Sequence, residues 1–440
     1  MKIIKILVST LLLFGILNAE VVKTQPNKET VKKELSPEDR LQQIKKLQLA
    51  IQLVEALYVE EKDFDEIINN FIKGGLKNLD PHSTYLDEKG MKGLKETTEG
   101  EFGGVGFVVS KKKGLLTIIA PIEDTPAFKA GIKSGDIIAK IDGHNALDIS
   151  LDEAVKKMRG KPDTKVTLVI LRDGETKPLT FNIVRAVIQV KSVKYKIYKD
   201  TLYIKVTSFD SHVSEDIKKI LIQFKDKHIR GIVLDLRNNP GGLLNEAIKT
   251  SDLFVKKGKI IVQSKNRTSK GFKKVFSKTD NLITEEVPLV VLVNVGSASA
   301  SEIVSGCIQD HNRGIIIGEK TFGKGSIQQI FDIGNKEGIK ITIGRYYLPS
   351  GRTIQNEGIT PDLIVLDTPV PTKEKPVLSF KEADYENSLQ NNIKKFKKEE
   401  KLDKDKVEDK NLITDKDLLK DLQLKSAIDV LTVLIKSSQK

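Results

Sequence analysis

The sequence predicts an α/β fold with a β-rich insertion and helical ends. Three observations carry this. From Lys199 to about Leu366, short apolar β-branched runs alternate with helical patterns, which is the signature of a largely buried sheet covered by helices. From Phe102 to Arg185 the chain changes to short strands punctuated by glycine turns. At both ends, apolar residues recur at helical spacing.

The first residues, Met1-Lys-Ile-Ile-Lys followed by an apolar run from Ile6 to Leu17 and then Asn18-Ala19-Glu20, have the three parts of a secretory signal peptide over residues 1–19. The apolar run is shorter than the roughly 20 residues of a membrane-spanning helix. The mature chain is therefore expected to be exported, periplasmic or peripheral at the membrane, with no integral span. The one cysteine, Cys307, leaves an intrachain disulfide impossible. There is no His-Glu-x-x-His or Cys/His cluster, so no metal and no cofactor is implied. The net charge is +13, but the lysines are dispersed among acidic residues and densest near the C-terminus. This reads as a solvated basic surface, not a nucleic-acid site.

Residues 20–97 form an N-terminal helical segment. After a polar tether from Val21 to Pro37, Leu41, Ile44, Leu47, Ile51, Val54 and Leu57 mark one amphipathic helix. Phe64, Ile67, Ile68, Phe71, Ile72 and Leu76 mark a second, with Asp63 placed to cap it. Both read as packing or dimerisation surfaces without chemistry.

In residues 98–186, Gly104-Val105-Gly106-Phe107 precedes an apolar strand. Such a loop offers successive backbone N–H groups to a carboxylate, and the strand edge can accept a peptide. Together with Ala130-Gly-Ile-Lys-Ser-Gly-Asp-Ile-Ile, the segment resembles a PDZ domain, which implies capture of free, nonpolar C-termini.

Residues 187–367 form the core. The run Val287 to Val295 reads as a strand covered on both faces, and it ends in Gly296-Ser-Ala-Ser-Ala-Ser-Glu302 before a helix. A strand that turns into a helix through serines aims backbone N–H groups and a hydroxyl at one spot. Ser299 and Glu302 also have capping-box spacing, and a serine at a helix N-terminus is equally where an oxyanion is stabilised. All three serines remain candidates on this basis. Strand Gly231 to Leu236 enters Arg237-Asn-Asn-Pro-Gly-Gly. There Gly241 or Gly242, with Ala300, has the placement of an oxyanion hole, while an ordinary strand-to-helix turn accounts for the same glycines.

Gly318 to Lys324 matches the first seven positions of a phosphate-binding loop, but Gly325 stands where Ser or Thr would hold magnesium, and Ser326 onward reads as a strand instead of a helix. At strand period Lys324, Ser326 and Gln328 share a face. A lysine serves as a general base only when burial brings its pKa down from ~10.4, and flanking glycines leave room for close packing. Residues 368–440 are a Pro- and Lys-rich, then highly charged tail, closing with a helix that places Leu424, Ile428, Leu431 and Ile435 on one face.

Four motifs, Leu234-Asp-Leu-Arg-Asn-Asn-Pro-Gly-Gly-Leu, Val293-Asn-Val-Gly-Ser-Ala-Ser-Ala-Ser-Glu-Ile, Gly318-Glu-Lys-Thr-Phe-Gly-Lys-Gly-Ser-Ile-Gln and Arg345-Tyr-Tyr-Leu-Pro-Ser-Gly-Arg, resemble the carboxy-terminal processing peptidases, in that family's order. The likeness runs from about Leu79 to Val365 and includes Asp80-Pro-His-Ser-Thr-Tyr. It implies a crotonase-like spiral α/β protease core with an inserted PDZ domain. It also implies Ser299 as nucleophile, Lys324 as base and Gln328 as the residue holding the lysine. Polypeptide substrates, a homodimer and a regulatory adaptor are the expected partners. A Ser-His-Asp hydrolase using Asp310 and His311 is disfavoured, because that pair sits at the far end of the helix from Ser299; His82, His144, His212 and His228 show no partner pattern. A non-catalytic PDZ scaffold is the other class, and activity of the mature chain on an unfolded peptide separates the two.

Overall fold

The computed structural model describes residues 35–370 and 411–437, apart from Lys113, Leu147, Asp148, Asp226, His228, Asp280, Asn281 and residues 283–285. The expected signal peptide, most of the tether and most of the charged tail lie outside the described residues. The chain divides into two units, 1–71 and 72–440.

In the first unit, Ser36 caps helix Pro37–Leu57 by accepting a hydrogen bond from the Asp39 N–H (3.1 Å). The helix is amphipathic in sequence yet buries no residue, so its stripe of Leu41, Ile44 and Leu47 is exposed. Asp63 caps the helix that follows, Phe64–Lys77, accepting from the N–H groups of Asp65 and Glu66.

In the second unit, strands Glu101–Gly104 and Ala186–Gln189 pair antiparallel as a two-stranded stalk. Between them five strands, Phe107–Lys112, Leu115–Pro121, Ile137–Ile141, Lys165–Leu171 and Leu179–Val184, pair in that order. They close over their own core of Leu116, Ile118, Ile138, Leu168 and Ile170, with helix Leu151–Met158 laid alongside.

The main sheet has six strands in the order Val193–Tyr198, Thr201–Val206, Gly231–Asp235, Leu289–Val293, Ile315–Gly318 and Leu363–Ile364. The first pair is antiparallel and the rest are parallel. Alternate residues face opposite sides. Ile204, Leu234, Val291 and Val293 pack with Ala247, Ile303 and Val304 of helices Leu244–Asp252 and Ala300–Asp310. Tyr203, Val233, Val290 and Leu292 meet Leu424, Ile428 and Leu431 of the last helix, Leu422–Ser437. Burial on both faces is why these strands read as unbroken apolar runs. A second sheet joins Thr84–Leu86, Glu337–Tyr347, Ile260–Asn266 and Lys273–Phe276, with Ser326–Gly334 on the other side of Glu337–Tyr347. Its strand Ser326–Gly334 follows directly on the lysine segment.

Candidate active site

Hydrogen bonding separates the three serines. Ser297 Oγ donates to the Leu236 carbonyl (2.8 Å) and accepts from the Asn294 N–H (3.0 Å). Ser301 Oγ donates to the Asn239 carbonyl (2.9 Å). Both therefore fasten the serine turn to the turn after strand Gly231–Asp235. Ser299 does neither. It sits at the head of the helix in a capping-box arrangement, with the Glu302 carboxylate accepting from the Ser299 N–H (2.7 Å) and the Glu302 N–H directed to the Ser299 carbonyl (3.0 Å). Its backbone sits at φ 54°, ψ −109°, a sparsely populated conformation of the kind found where a strand-to-helix turn presents a nucleophile.

The facing turn is shaped by close approach. A Cβ on Gly241 would lie 2.8 Å from the Ala298 carbonyl and 2.9 Å from Ser299 Cβ, so only glycine fits beside the serine. The N–H of Gly241 is committed to Asn239 Oδ1 (2.9 Å). The N–H groups of Gly242 and Ala300 have no acceptor among the described residues. Of the three expected oxyanion donors, these two are free.

Glu302 ties the serine to the lysine. Its carboxylate is fully buried. Oε2 accepts from the N–H of Ser299 (2.7 Å) and the N–H of Lys324 (2.9 Å). Oε1 accepts from Thr321 Oγ1 (2.6 Å) and the Gly323 N–H (2.7 Å). A single oxygen thus holds the backbone amides of Ser299 and Lys324 within the span of two hydrogen bonds. The spacing of Glu302 suggests a cap; its wider role has no local signal.

Lys324 is half-buried, and its Nζ has no hydrogen-bond or ion-pair partner among the described residues. Burial lowers its pKa, and the charge of Lys340 adds to this, against Asp80 and Glu302, which raise it. A Cβ on Gly325 would meet the Gln355 backbone nitrogen at 2.6 Å, so the glycine admits that loop. The residues after it form strand Ser326–Gly334, as the rejection of a phosphate loop requires. Gln328 Nε2 donates to Ser326 Oγ (2.8 Å) and Thr342 Oγ1 (3.3 Å). The structure places Gln328 on the Ser326 face and gives it no direct bond to Lys324.

Lys324 lines a cavity of about 490 Å³ with Asp80, His82, Thr342, Arg345 and Gln355. The sequence shows no partner pattern for His82, and the structure places it beside Lys324 in this cavity. Asp310 and His311 are engaged elsewhere: Asp310 accepts from the Ser350 N–H and Arg352, and His311 Nε2 lies 2.7 Å from the Ile260 carbonyl.

In the inserted domain, a cavity of about 220 Å³ is lined by Gly104, Val105, Gly106 and Phe107 on one side and Val155 and Met158 on the other. The N–H groups of Val105 and Gly106 have no acceptor among the described residues. Free amides at the head of an apolar groove suit a carboxylate followed by a nonpolar side chain.

Residues 200–365 match peptidase family S41, 103–183 match the PDZ domain, and 6–90 match the N-terminal domain of the activating protease CtpB. The chain is 44% identical over 326 residues to a carboxy-terminal-processing protease of Bartonella bacilliformis, an alignment covering 73% of this chain and 74% of that one. It is 36% identical over 326 residues to a probable CtpA-like serine protease of Staphylococcus epidermidis, covering 73% of this chain and 65% of that relative. Among solved structures, the photosystem II D1 C-terminal processing protease aligns over 72% of this chain and 86% of its own, at 28% identity and a TM-score of 0.43.

Proposed function

The chain belongs to the carboxy-terminal-processing proteases of peptidase family S41, and from that premise we propose that it is an exported endopeptidase that cuts polypeptides near their C-termini with Ser299 and Lys324. The observation that carries this reading is the Glu302 carboxylate, whose Oε2 accepts from the backbone N–H of both residues. Neutral Lys324 takes the Ser299 Oγ proton as Oγ attacks the scissile carbonyl. The N–H groups of Ala300 and Gly242, with Gly241 shaping the turn, receive the developing oxyanion. Lys324 then gives its proton to the departing amine, and water clears the acyl-enzyme by the same route. Gln328 Oε1 supports the lysine, with its amide nitrogen anchored on Ser326 and Thr342.

The PDZ segment 98–186 holds the substrate's terminal carboxylate on Val105 and Gly106, flanked by Gly104 and Phe107, and delivers the chain to the core 187–367. Residues 1–19 direct export to the periplasm. The helical segment 20–97 and the tail 368–440 serve assembly, as a homodimer open to a regulatory adaptor. Ser299→Ala is expected to abolish cleavage of an unfolded peptide. Ser297→Ala and Ser301→Ala should keep a measurable rate, each losing about 1–3 kcal/mol of stability because buried partners of the hydroxyl are left unpaired. Full activity in Ser299→Ala removes the mechanism. Mass spectrometry of exported proteins, with and without active enzyme, tests the C-terminal trimming.

A further inference from the structure

The cavity of about 490 Å³ beside Lys324 has a direction. It is lined by Lys324 and by none of Ser299, Gly241, Gly242 and Ala300. The acyl half of a substrate must place its carbonyl oxygen on the oxyanion donors. The other half departs toward the group that protonates it. A cavity lined by Lys324 and not by the serine or the oxyanion turn suits the leaving-group half of the substrate. Its volume is in the range of ordinary ligand sites.

The His82 ring, like Lys324 and Arg345, is a side chain of that cavity with no hydrogen-bond or ion-pair partner among the described residues. Asp80 holds the loop: Oδ1 accepts from the N–H groups of His82 (2.8 Å) and Ser83 (2.9 Å), and Oδ2 from Ser83 Oγ (2.7 Å). Ser83 Oγ in turn accepts from the Thr342 N–H (3.1 Å), and Thr342 is bonded by Gln328. The loop is thus locked to the strand that carries the lysine's neighbours, while the His82 imidazole has no hydrogen-bond partner among the described residues. The ring is half-buried. Burial and the charges of Lys324 and Lys340 lower its pKa, against Asp80, which raises it. A neutral ring offers one N–H donor and one acceptor.

We propose that His82 is a further active-site group, which binds the main chain of the departing C-terminal segment in this cavity and holds its amine against Lys324. This rests on the Ser299–Lys324 reading above. As the scissile C–N bond breaks, the proton that Lys324 took from Ser299 Oγ passes to the departing nitrogen, and the lysine becomes neutral again. His82 gains and loses no proton in this step. Its contribution is to keep the amine from drifting out of reach while the tetrahedral intermediate collapses.

The test compares two substrates on the full chain: an unfolded peptide, and an activated aryl ester whose leaving oxygen departs unprotonated and fills no leaving-side subsite. His82→Ala should lower kcat/KM on the peptide about 100-fold, the scale of losing placement at a reacting centre. Acylation by the ester should remain within about twofold of the parent, the spread left when no interaction with the reacting atoms is removed. His82→Asn, which keeps one donor and one acceptor, should recover part of the peptide rate. An equal loss on both substrates, in His82→Ala or in His82→Asn if the alanine variant does not fold, makes the ring merely structural and overturns the proposal. So does an unchanged peptide rate. Ser299→Ala must lose both activities; ester turnover that survives it overturns the dyad reading itself.

Discussion

Replacing Glu302 by glutamine tests whether one buried carboxylate sets the distance between Ser299 and Lys324, the proposed nucleophile and base. The carboxylate accepts four hydrogen bonds, from Ser299, Lys324, Gly323 and Thr321, and is closed to solvent. Glutamine keeps the shape but has one accepting oxygen. If that oxygen faces Ser299 and Lys324, the new NH₂ group faces the Gly323 N–H and the Thr321 hydroxyl. The hydroxyl can turn and accept, whereas the backbone N–H is stranded. A stranded buried donor costs about 1–3 kcal/mol, and the remaining bonds drop from the charged range of about 1.5–3 kcal/mol each toward about 1. The expected loss is about 3–5 kcal/mol, a large part of the ~5–15 kcal/mol stability of a domain. The opposite orientation puts NH₂ against the amides of Ser299 and Lys324 and pushes the two loops apart. Displacement of about 1 Å at a reacting centre costs ~100-fold in rate. Thermal melts and kcat/KM on an unfolded peptide measure both effects. A Glu302→Gln protein with the parent's melting temperature and a rate within about threefold would refute the argument, because neither orientation of the amide satisfies all four donors.

Lys324→Met should abolish cleavage yet melt at or above the parent's temperature at neutral pH. Burial puts the folded pKa of Lys324 below its unfolded value, near 10.4, so the unfolded state binds the extra proton between the two. This group therefore destabilises the parent fully below the folded pKa, and its contribution to stability rises with pH through that window. The advantage of the methionine variant should shrink toward pH 10; a clearly lower melting temperature for Lys324→Met from pH 6 to 10, or retained cleavage, contradicts a neutral base. For the PDZ groove, amidating the C-terminus of a nonpolar-ended peptide should weaken binding by about 1.5–3 kcal/mol, as a charged acceptor on the Val105 and Gly106 amides is lost. Equal affinity for acid and amide, measured by calorimetry, counts against carboxylate capture.

The strand before the serine turn was legible because it is buried on both faces and so reads as an unbroken apolar run. The run from Val287 to Val295 contains the observed strand Leu289–Val293, and the helix after the serines is Ala300–Asp310. The face Leu424, Ile428, Leu431 and Ile435 was also readable, although nothing in the helix itself names the Tyr203, Val233 and Val290 surface it covers. Helix Pro37–Leu57 shows the converse: an apolar stripe predicts the helix, but in the described chain nothing of it is buried. Which serine is free was not legible, since Ser297 and Ser301 are spent on carbonyls at Leu236 and Asn239, far back in the sequence. Glu302 looked like a cap for the same reason. Its bonds to Thr321, Gly323 and Lys324 span 19, 21 and 22 residues, beyond any local pattern. His82 shows no partner pattern in the sequence, because its significance comes from the cavity it shares with Lys324.

A lysine whose pKa is lowered despite two nearby carboxylates needs an explanation. Both Asp80 and Glu302 act on Lys324 and favour its charged form, yet the net shift is downward. The hydrogen bonds explain why. Asp80 spends its oxygens on the amides of His82 and Ser83 and on the Ser83 hydroxyl, and Glu302 spends its own on three backbone amides and Thr321. Neither carboxylate hydrogen-bonds the amine. What is left to them is attraction through space, and burial together with the like charge of Lys340 outweighs it. A direct carboxylate contact would hold Lys324 as an ammonium, because a charge-assisted bond in a half-buried site is roughly twice as strong as a neutral one. The glycines serve this separation. Gly323 gives its N–H to Glu302 Oε1 while Lys324 gives its own to Oε2, so the backbone around the lysine, and not its amine, satisfies the acid. On the proposed mechanism, the carboxylate that fixes where Lys324 stands is thereby kept from disarming it.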